Sequence, residues 1–434
     1  MKSAALCLLA ASSSLAAVLP GPPVQVPLGG VNPTSHSHHG GHGADDESQQ
    51  SLLDSWFETL QPVKDSITSV IDDATDELAS AASTLNGFKD DMFRKLQDAT
   101  DQAKREFPDL TIYELIQLSN HTKKFAKALD KFPHVVKILN GTETNHTLFV
   151  PIDEAFEHLP DHEPPSKEYI EAALKYHIGL GDYPVPRLLS TNTLPTAYNE
   201  RGLGGEPQRL RTRVSLAGVT VNFYSKVVAA DIFAKNGVIH AVRHILVPPP
   251  PLGPILALDP SRFSTLLLAY QKTDFVKYVH GLKINGSTLF APDNEAFAAL
   301  GPRANAFLFN THKGLKYLDA LLKYQIAPNA TLYTDAFYDK TGKDKTENWE
   351  EHYDLATLLP GANIGVDIKT ILGFKIFLIN GFTKAKIEDV VGKNGVIQVV
   401  NKVLIPPRNK QHREDVGGEI ELEDLMERLD AYIQ

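Results

Sequence analysis

Cysteine is almost missing from this sequence of 434 residues, which contains a single one, Cys7. One cysteine cannot form an internal disulfide, and Cys7 falls in a segment that we expect to be removed. A cysteine nucleophile and a thiolate metal site are therefore excluded from the mature chain. Domains without disulfides depend on core burial alone, so each should have more than about 100 residues. The hydrophobic content of 42% is enough to build such cores.

Positive charge and long apolar runs are also scarce. Lys and Arg number 43 against 53 Asp and Glu, a net charge of -10, and an acidic chain is unsuited to nucleic acid because phosphate contacts need clustered cations. The longest apolar candidate, Pro248 to Ala269, is interrupted by Asp259 and Arg262. We therefore expect no membrane-spanning segment after the N-terminal one. The sequence also lacks a nucleophile elbow, a phosphate-binding glycine loop and a metalloprotease histidine pair.

The first 107 residues predict three segments that have no counterpart later in the chain. Residues 1–16 predict a secretory signal peptide, because Lys2 precedes a short apolar run and a small-residue cleavage site; the alternative is a short buried helix. Residues 17–50 predict a disordered linker rich in His, Pro and Gly, whose His cluster at residues 36–43 could instead bind a metal ion. Residues 51–107 have apolar side chains at helical spacing. They predict a helical segment that packs on the rest, pairs with a partner or is removed as a pro-region.

The rest of the chain contains an internal repeat with two landmarks. The opening motif is "TLFVPIDEAF" (Thr147–Phe156), which returns as "TLFAPDNEAF" (Thr288–Phe297) with seven of ten residues kept. The closing motif is "KNGVIHAVRHILVPP" (Lys235–Pro249), which returns as "KNGVIQVVNKVLIPP" (Lys393–Pro407). Two copies of this length indicate two domains built on the same plan.

The motifs fix the expected domain boundaries. We expect one domain at 108–249, a second at 255–408 and an acidic tail at 409–434. Pro248–Pro251 predicts a short stiff linker. The second copy is longer between its motifs, which predicts an inserted surface loop at Tyr338–Asp354.

Each opening motif predicts a strand, a turn and a capped helix. The apolar runs end at Pro151 and Pro292, which cannot continue a strand ladder, and Asp153 and Asn294 follow where a helix N-cap belongs. Because Asp153 aligns with an amide, which caps a helix but cannot transfer protons, a catalytic carboxylate pair does not explain both copies. The motif is better explained as scaffold.

Each closing motif predicts a tight hairpin turn followed by a buried strand. His240 and His244 lie where the second copy has Gln398 and Lys402, so a metal site built on these histidines would exist at most once. We expect them to be hydrogen-bonded in the structure or exposed at the surface.

The two motifs, recurring twice in register, resemble the conserved first and last blocks of the fasciclin domain family over about residues 109–249 and 260–407. The resemblance implies an α+β fold: two tandem fasciclin-like β-wedge domains, each of about seven strands with packed helices. It also implies a secreted or surface glycoprotein that acts in adhesion and is not an enzyme. No feature of the sequence calls for a cofactor.

The resemblance also implies candidate binding residues. In animal relatives an Asp-Ile pair before the last block and a central Tyr-His pair are implicated in receptor binding. The matching positions here are Asp231, Ile232, Tyr176 and His177 in the first copy and Asp389 and Val390 in the second, where Gln325 replaces the histidine. A buried hydrogen bond within the Tyr-His pair would instead give that pair a structural role.

Five N-x-[ST] sequons, together with the signal peptide, predict a glycosylated luminal or secreted protein. They lie at Asn120, Asn140, Asn145, Asn285 and Asn329. The expected function is adhesion or matrix or cell-wall association by a secreted or vacuole-lumen glycoprotein. The expected partners are cell-surface proteins or wall or matrix polysaccharides. The alternatives are a wall-polymer-modifying enzyme, which would need paired acid and base groups, and metal binding by the N-terminal His cluster.

Overall fold

The computed structural model describes residues 109–157, 165–215, 218–339, 350–371, 374–407 and 419–433. The expected signal peptide, the linker with its His cluster and the N-terminal helical segment lie outside these residues. Two domains follow one another, and each combines a seven-stranded sheet with helices. The α+β prediction of two tandem β-wedge domains is therefore confirmed.

Domain 1 begins with three helices, α1 (Ile112–Leu118), α2 (Lys123–Leu129) and α3 (Pro133–Asn140). The first is fixed by a capping box, in which the Thr111 hydroxyl accepts the Glu114 backbone N–H and the Glu114 carboxylate accepts the Thr111 N–H at 2.8 Å. The buried faces of the three helices pack into one hydrophobic cluster against the sheet of the domain.

The sheet of domain 1 is a closed barrel whose strands follow in chain order. The strands are β1 (His146–Pro151), β2 (Ile178–Leu180), β3 (Thr193–Asn199), β4 (Pro207–Ser215), β5 (Gly218–Val221), β6 (Ser225–Ala234) and β7 (Gly237–Val242). Helices α4 (Lys167–Tyr176) and α5 (Val185–Leu188) lie between β1 and β3. The motif strands β1 and β7 pair in parallel and are buried along their whole length. Burial on both faces explains why they are mainly apolar instead of alternating.

Domain 2 repeats this plan with more helices. They are α6 (Leu252–Leu258), α7 (Pro260–Lys272), α8 (Phe275–His280), α9 (Asn294–Ala298), α10 (Pro302–Asn310), α11 (His312–Tyr324) and α12 (Leu422–Leu429). Most of its buried apolar side chains form a single large cluster.

The strands of domain 2 are β8 (Ser287–Pro292), β9 (Ile326–Pro328), β10 (Ala330–Leu332), β11 (Phe337–Asp339), β12 (Glu350–Ala356), β13 (Asn363–Ile371), β14 (Phe374–Ile379), β15 (Thr383–Gly392) and β16 (Gly395–Val400). They form a seven-stranded sheet in the order β12-β13-β14-β15-β16-β8-β9 and a two-stranded sheet of β10 and β11. As in domain 1, the motif strands β8 and β16 are parallel and fully buried.

Two segments of the chain contribute secondary structure to domain 2 outside its motifs. Helix α12 lies in the tail at 409–434, yet Leu425 and Leu429 are buried in the core of domain 2. The Tyr317 hydroxyl also donates to Asp430. The expected insertion at Tyr338–Asp354 overlaps β11 and β12 at its ends, and residues 340–349 between them lie outside the described part of the chain.

The expectation that Asp153 and Asn294 cap their own helices is wrong. The Asp153 carboxylate accepts the backbone N–H of Lys124 at 2.7 Å, at the start of α2. The Asn294 side-chain oxygen likewise accepts the Thr265 N–H at 2.9 Å, in α7. In domain 2 the cap is the preceding Asp293. Lys124 lies in the first turn of α2, where N–H groups have no partner within the helix. In α7, Asn294 also donates its amide N–H to the Ser261 carbonyl at 2.7 Å, so it bridges that carbonyl and the Thr265 N–H.

Candidate functional site

The histidine of the Tyr-His pair is held inside domain 1 by two backbone groups. His177 is buried at the end of α4, where its Nδ1 lies 2.7 Å from the Ala173 carbonyl oxygen. Its Nε2 accepts the Leu246 backbone N–H at 2.9 Å. These contacts require a neutral ring with the proton on Nδ1, and burial lowers the pKa of His177 to about 4.

Gln325 fills the same position in domain 2 with the same pattern of bonds. Its amide nitrogen donates to the Leu321 carbonyl at 3.0 Å, and its oxygen accepts the Leu404 N–H at 3.2 Å. A glutamine can replace the histidine because both supply one donor and one acceptor.

The tyrosine of the pair is also a scaffold residue. Tyr176 is buried; its hydroxyl donates to the Arg209 carbonyl at 3.0 Å and accepts the Asn222 side-chain N–H at 2.9 Å. Tyr324 repeats both contacts in domain 2, with the Asn363 carbonyl and the Asn380 amide. The bond anticipated between Tyr176 and His177 themselves is replaced by these separate contacts.

The Asp-Ile pair lies at a β-bulge in strand β6. Asp231 has a left-handed backbone with φ of 55° and is half-buried. Its carboxylate accepts the Val185 N–H at 2.8 Å, and its own N–H donates to Nδ1 of His240 at 3.3 Å. His240 is fully buried, and its Nε2 lies 2.9 Å from the Tyr183 carbonyl oxygen. The bulge is therefore fixed from both sides.

The matching bulge in β15 is built the same way around Asp389, whose φ is 58°. Its carboxylate accepts the Thr334 N–H at 2.9 Å, and its N–H donates to the Gln398 side-chain oxygen at 3.0 Å. Asp389 is buried, and its pKa is raised by that burial and by the nearby negative charge of Asp335.

The two bulges differ in what covers them. In domain 2 the bulge faces domain 1: the Glu388 carbonyl accepts the Arg211 Nε–H at 2.9 Å, and Val390 lines a cavity between the domains. In domain 1 the corresponding stretch is open, with Ala229 and Ala230 exposed and Val228 45% exposed.

A buried ionic cluster joins the two domains. Arg209 of β4 and Asp335 of domain 2 are both nearly inaccessible, and their charged groups lie 3.8 Å apart. Asp335 also accepts the backbone N–H groups of Asn192 and Thr193, at 2.9 and 2.7 Å. The Arg209 guanidinium donates to the Tyr338 hydroxyl at 3.1 Å. Removing one partner of such a buried pair leaves the other charge uncompensated, which typically costs about 3–5 kcal/mol.

A cavity of about 130 Å³ lies beside this interface. It is mainly apolar, and its walls come from both domains and from the proline linker. Arg211 and Phe223 lie on the domain 1 side, with the Arg211 guanidinium carbon 4.2 Å from the centre of the Phe223 ring. Sequence reasoning missed the cavity and the ionic cluster, because neither the loop around Asp335 nor the linker carries a recognisable motif.

The five sequons differ in accessibility. Asn120, Asn140, Asn145 and Asn285 are exposed, whereas Asn329 is half-buried. The Asn329 side-chain oxygen also accepts the Asn285 N–H at 3.0 Å.

Two classes of site are not found within the described ranges. The described residues include no cluster of three or more His, Cys, Asp or Glu side chains that could bind a metal ion. None of the helices described there has both the length and the apolar character needed to cross a membrane.

Comparison with known proteins identifies a family that matches both repeats. The model of the fasciclin domain matches residues 120–248 and 261–406. Aurofusarin biosynthesis cluster protein S of Gibberella zeae is 28% identical over 359 residues, which cover 75% of this chain and 87% of that protein.

Two animal proteins match over shorter parts of their own length. Stabilin-2 of Rattus norvegicus is 30% identical over 215 residues, or 44% of this chain and 14% of that protein. Transforming growth factor-beta-induced protein ig-h3 of Oryctolagus cuniculus is 27% identical over 297 residues, or 66% of this chain and 36% of that protein. The chain thus spans well under half of either protein.

Among solved structures, a FAS1 domain pair from the insect cell adhesion molecule Fasciclin I matches with 18% identity and a TM-score of 0.31. This match covers 65% of this chain and 96% of that one.

Proposed function

Because the chain belongs to the fasciclin domain family, we propose that it is a secreted glycoprotein that acts in cell adhesion or in matrix or wall association. Fasciclin-domain proteins are generally non-enzymatic adhesion proteins, and we propose the same for this chain. It would act by surface contact with cell-surface proteins or with wall or matrix polysaccharides. The vacuole lumen is the alternative destination.

The observation that carries this proposal is the open bulge of domain 1. In domain 2 the equivalent bulge is a protein contact surface, since it faces domain 1 through Glu388 and Val390. In domain 1 the residues Val228–Ile232, which we name the open β6 surface, have no such cover within the described chain. A surface that one domain uses for protein contact is a reasonable contact surface in its homologous neighbour.

The chemistry of the open β6 surface favours a protein partner over a sugar. Apart from Asp231 it is formed by apolar side chains, it contains no aromatic ring, and it lies on a bulge fixed through Asp231 and His240. Asp231 and Ile232 would contact the partner directly, because both keep part of their surface. Tyr176, His177 and Asp389 are buried, so we propose structural roles for them: the first two in domain 1, and Asp389 at the equivalent bulge of domain 2.

A binding measurement with two matched variants tests the proposal. The full chain is immobilised and exposed to purified cell-surface proteins and to wall polysaccharides, with Val228→Asp and Val276→Asp compared. Both valines are about equally exposed, at 45% and 51%, but Val276 lies on α8 of domain 2. We expect saturable protein binding that weakens at least tenfold for Val228→Asp and less than twofold for Val276→Asp.

Other outcomes would count against the proposal in separate ways. If the two variants weaken binding equally, the open β6 surface is not the binding site, although the protein still acts in adhesion. Saturable binding of polysaccharide alone would reject the protein partner. The lack of saturable binding to either class would reject adhesion itself.

A further inference from the structure

The cavity between the domains has an unusual wall on the domain 1 side. In domain 2 the turn between β14 and β15 is Asn380-Gly381, with φ of 51° and 81°. This is the residue pair that such a left-handed turn favours. In domain 1 the equivalent turn is Asn222-Phe223, with φ of 49° and 68°. A bulky aromatic residue in this region of backbone space is strained, and such strain is concentrated at functional sites.

A second difference between the repeats lies beside the first. Arg211 occupies the position that Gly365 has in domain 2. In domain 1 the backbone N–H of Asn222 in the turn donates to the Arg211 carbonyl. In domain 2 the N–H of the equivalent Asn380 donates to the Gly365 carbonyl. Domain 1 therefore has Arg211 and Phe223 at the two positions where domain 2 has glycines. The two side chains contact each other and line the cavity.

Two arginines line the cavity, and they differ in their ion pairs. Arg262 is paired with Asp259 at 3.0 Å. Arg211 makes no ion pair within 4 Å among the residues that the structure describes, and the negative charges of Asp389 and Glu388 act on it from farther away. Within its guanidinium the Nε–H donates to the Glu388 carbonyl, and we assign the two terminal nitrogens to a ligand. Burial lowers the pKa of Arg211 to about 10, so it remains charged at neutral pH in a partly dehydrated place, where an anion is attracted strongly.

The remaining walls are apolar and match one aromatic ring in size. Val247, Ile255, Leu258 and Phe263 are among the lining residues. The volume of about 130 Å³ is close to that of an engineered apolar cavity of roughly 150 Å³ in another protein, which binds benzene.

We propose that the interdomain cavity binds a small aromatic carboxylate, with its ring between the apolar walls and its carboxylate on the Arg211 guanidinium. Guanidinium and carboxylate match in geometry and can form two parallel hydrogen bonds. The ligand contacts both domains, so binding also strengthens their docking. This site is separate from the open β6 surface and does not depend on the adhesion role.

The test uses benzoate and its neutral analogue benzyl alcohol, titrated into the full chain by isothermal calorimetry. Four proteins are compared: the wild type, Arg211→Gln, Leu258→Trp, which fills the cavity, and Leu268→Trp, which adds the same ring at an exposed site outside it. Thermal unfolding confirms that each variant is folded. We expect saturable binding of benzoate that weakens at least tenfold in Arg211→Gln and is lost in Leu258→Trp, with Leu268→Trp unchanged.

The neutral analogue separates charge recognition from apolar burial. Its weaker binding should change less than twofold in Arg211→Gln and should also be lost in Leu258→Trp. The proposal is overturned if benzoate does not bind saturably, if Leu258→Trp leaves its binding intact, or if Arg211→Gln weakens both compounds equally.

Discussion

Gln325 in domain 2 makes the contacts that His177 makes in domain 1: each links a backbone carbonyl one helical turn earlier to the backbone N–H of the leucine after the closing strand. His240 and Gln398 form a second pair of this kind, at the bulges. In both pairs the chemistry that the repeats share is one donor and one acceptor, not a titratable ring. These histidines therefore serve the scaffold.

We expect His177→Gln to leave domain 1 nearly as stable as the wild type, within about 1 kcal/mol, because an amide replaces both hydrogen bonds. His177→Ala should cost about 2–4 kcal/mol, since it leaves the Leu246 N–H without its acceptor and opens a cavity. Urea unfolding of the full chain at pH 7 measures both. Equal losses for the two variants would show that the ring itself is required.

The same residue should make stability depend on pH. Burial lowers the pKa of His177 to about 4, so the unfolded chain takes up a proton at higher pH than the folded one. The contribution of neutral His177 to the free energy of unfolding is complete above about pH 6.5. It is lost as the pH falls to about 4, a change of at most about 3.4 kcal/mol. His177→Gln should remove this part, giving a shallower fall in unfolding free energy between pH 6.5 and 4. An identical slope in both proteins would contradict the assignment.

Removing Asp335 should uncouple the domains. Asp335→Ala leaves the buried Arg209 without its counter-charge, a change that typically costs about 3–5 kcal/mol. We expect the calorimetric unfolding of the full chain to separate into two transitions, one for each domain. Asp319→Ala is the control, because its ion pair with Lys323 lies on the more accessible side of α11. A single unchanged transition in Asp335→Ala would mean that the ionic cluster does not hold the domains together.

Glycan occupancy should follow accessibility. After expression in a glycosylating host, mass spectrometry should find Asn120, Asn140, Asn145 and Asn285 occupied, because they are exposed. Asn329 should be occupied least, since it is half-buried and its side chain is bonded to the neighbouring backbone. High occupancy at Asn329 with empty exposed sites would contradict this order.

The sequence predicted the parts of this fold that depend on short stretches. The apolar motif strands β1, β7, β8 and β16 and the two-domain plan follow from patterns within fifteen residues. The N-caps were misjudged because the Asp153 side chain reaches Lys124, 29 residues earlier, and no local pattern shows such a contact. Arg211 and Phe223 show the same limit: as residues they are ordinary, and only the overlay of the two repeats shows that they replace glycines.

Cell attachment tests the central claim of a surface-acting adhesion protein most directly. Surfaces coated with equal amounts of the full chain, Val228→Asp or Val276→Asp are exposed to cells of the source organism under flow, and the attached cells are counted. We expect attachment that rises with the wild-type coating density, is retained by Val276→Asp and is largely lost in Val228→Asp. Attachment no greater than on an uncoated surface at every density would contradict the account.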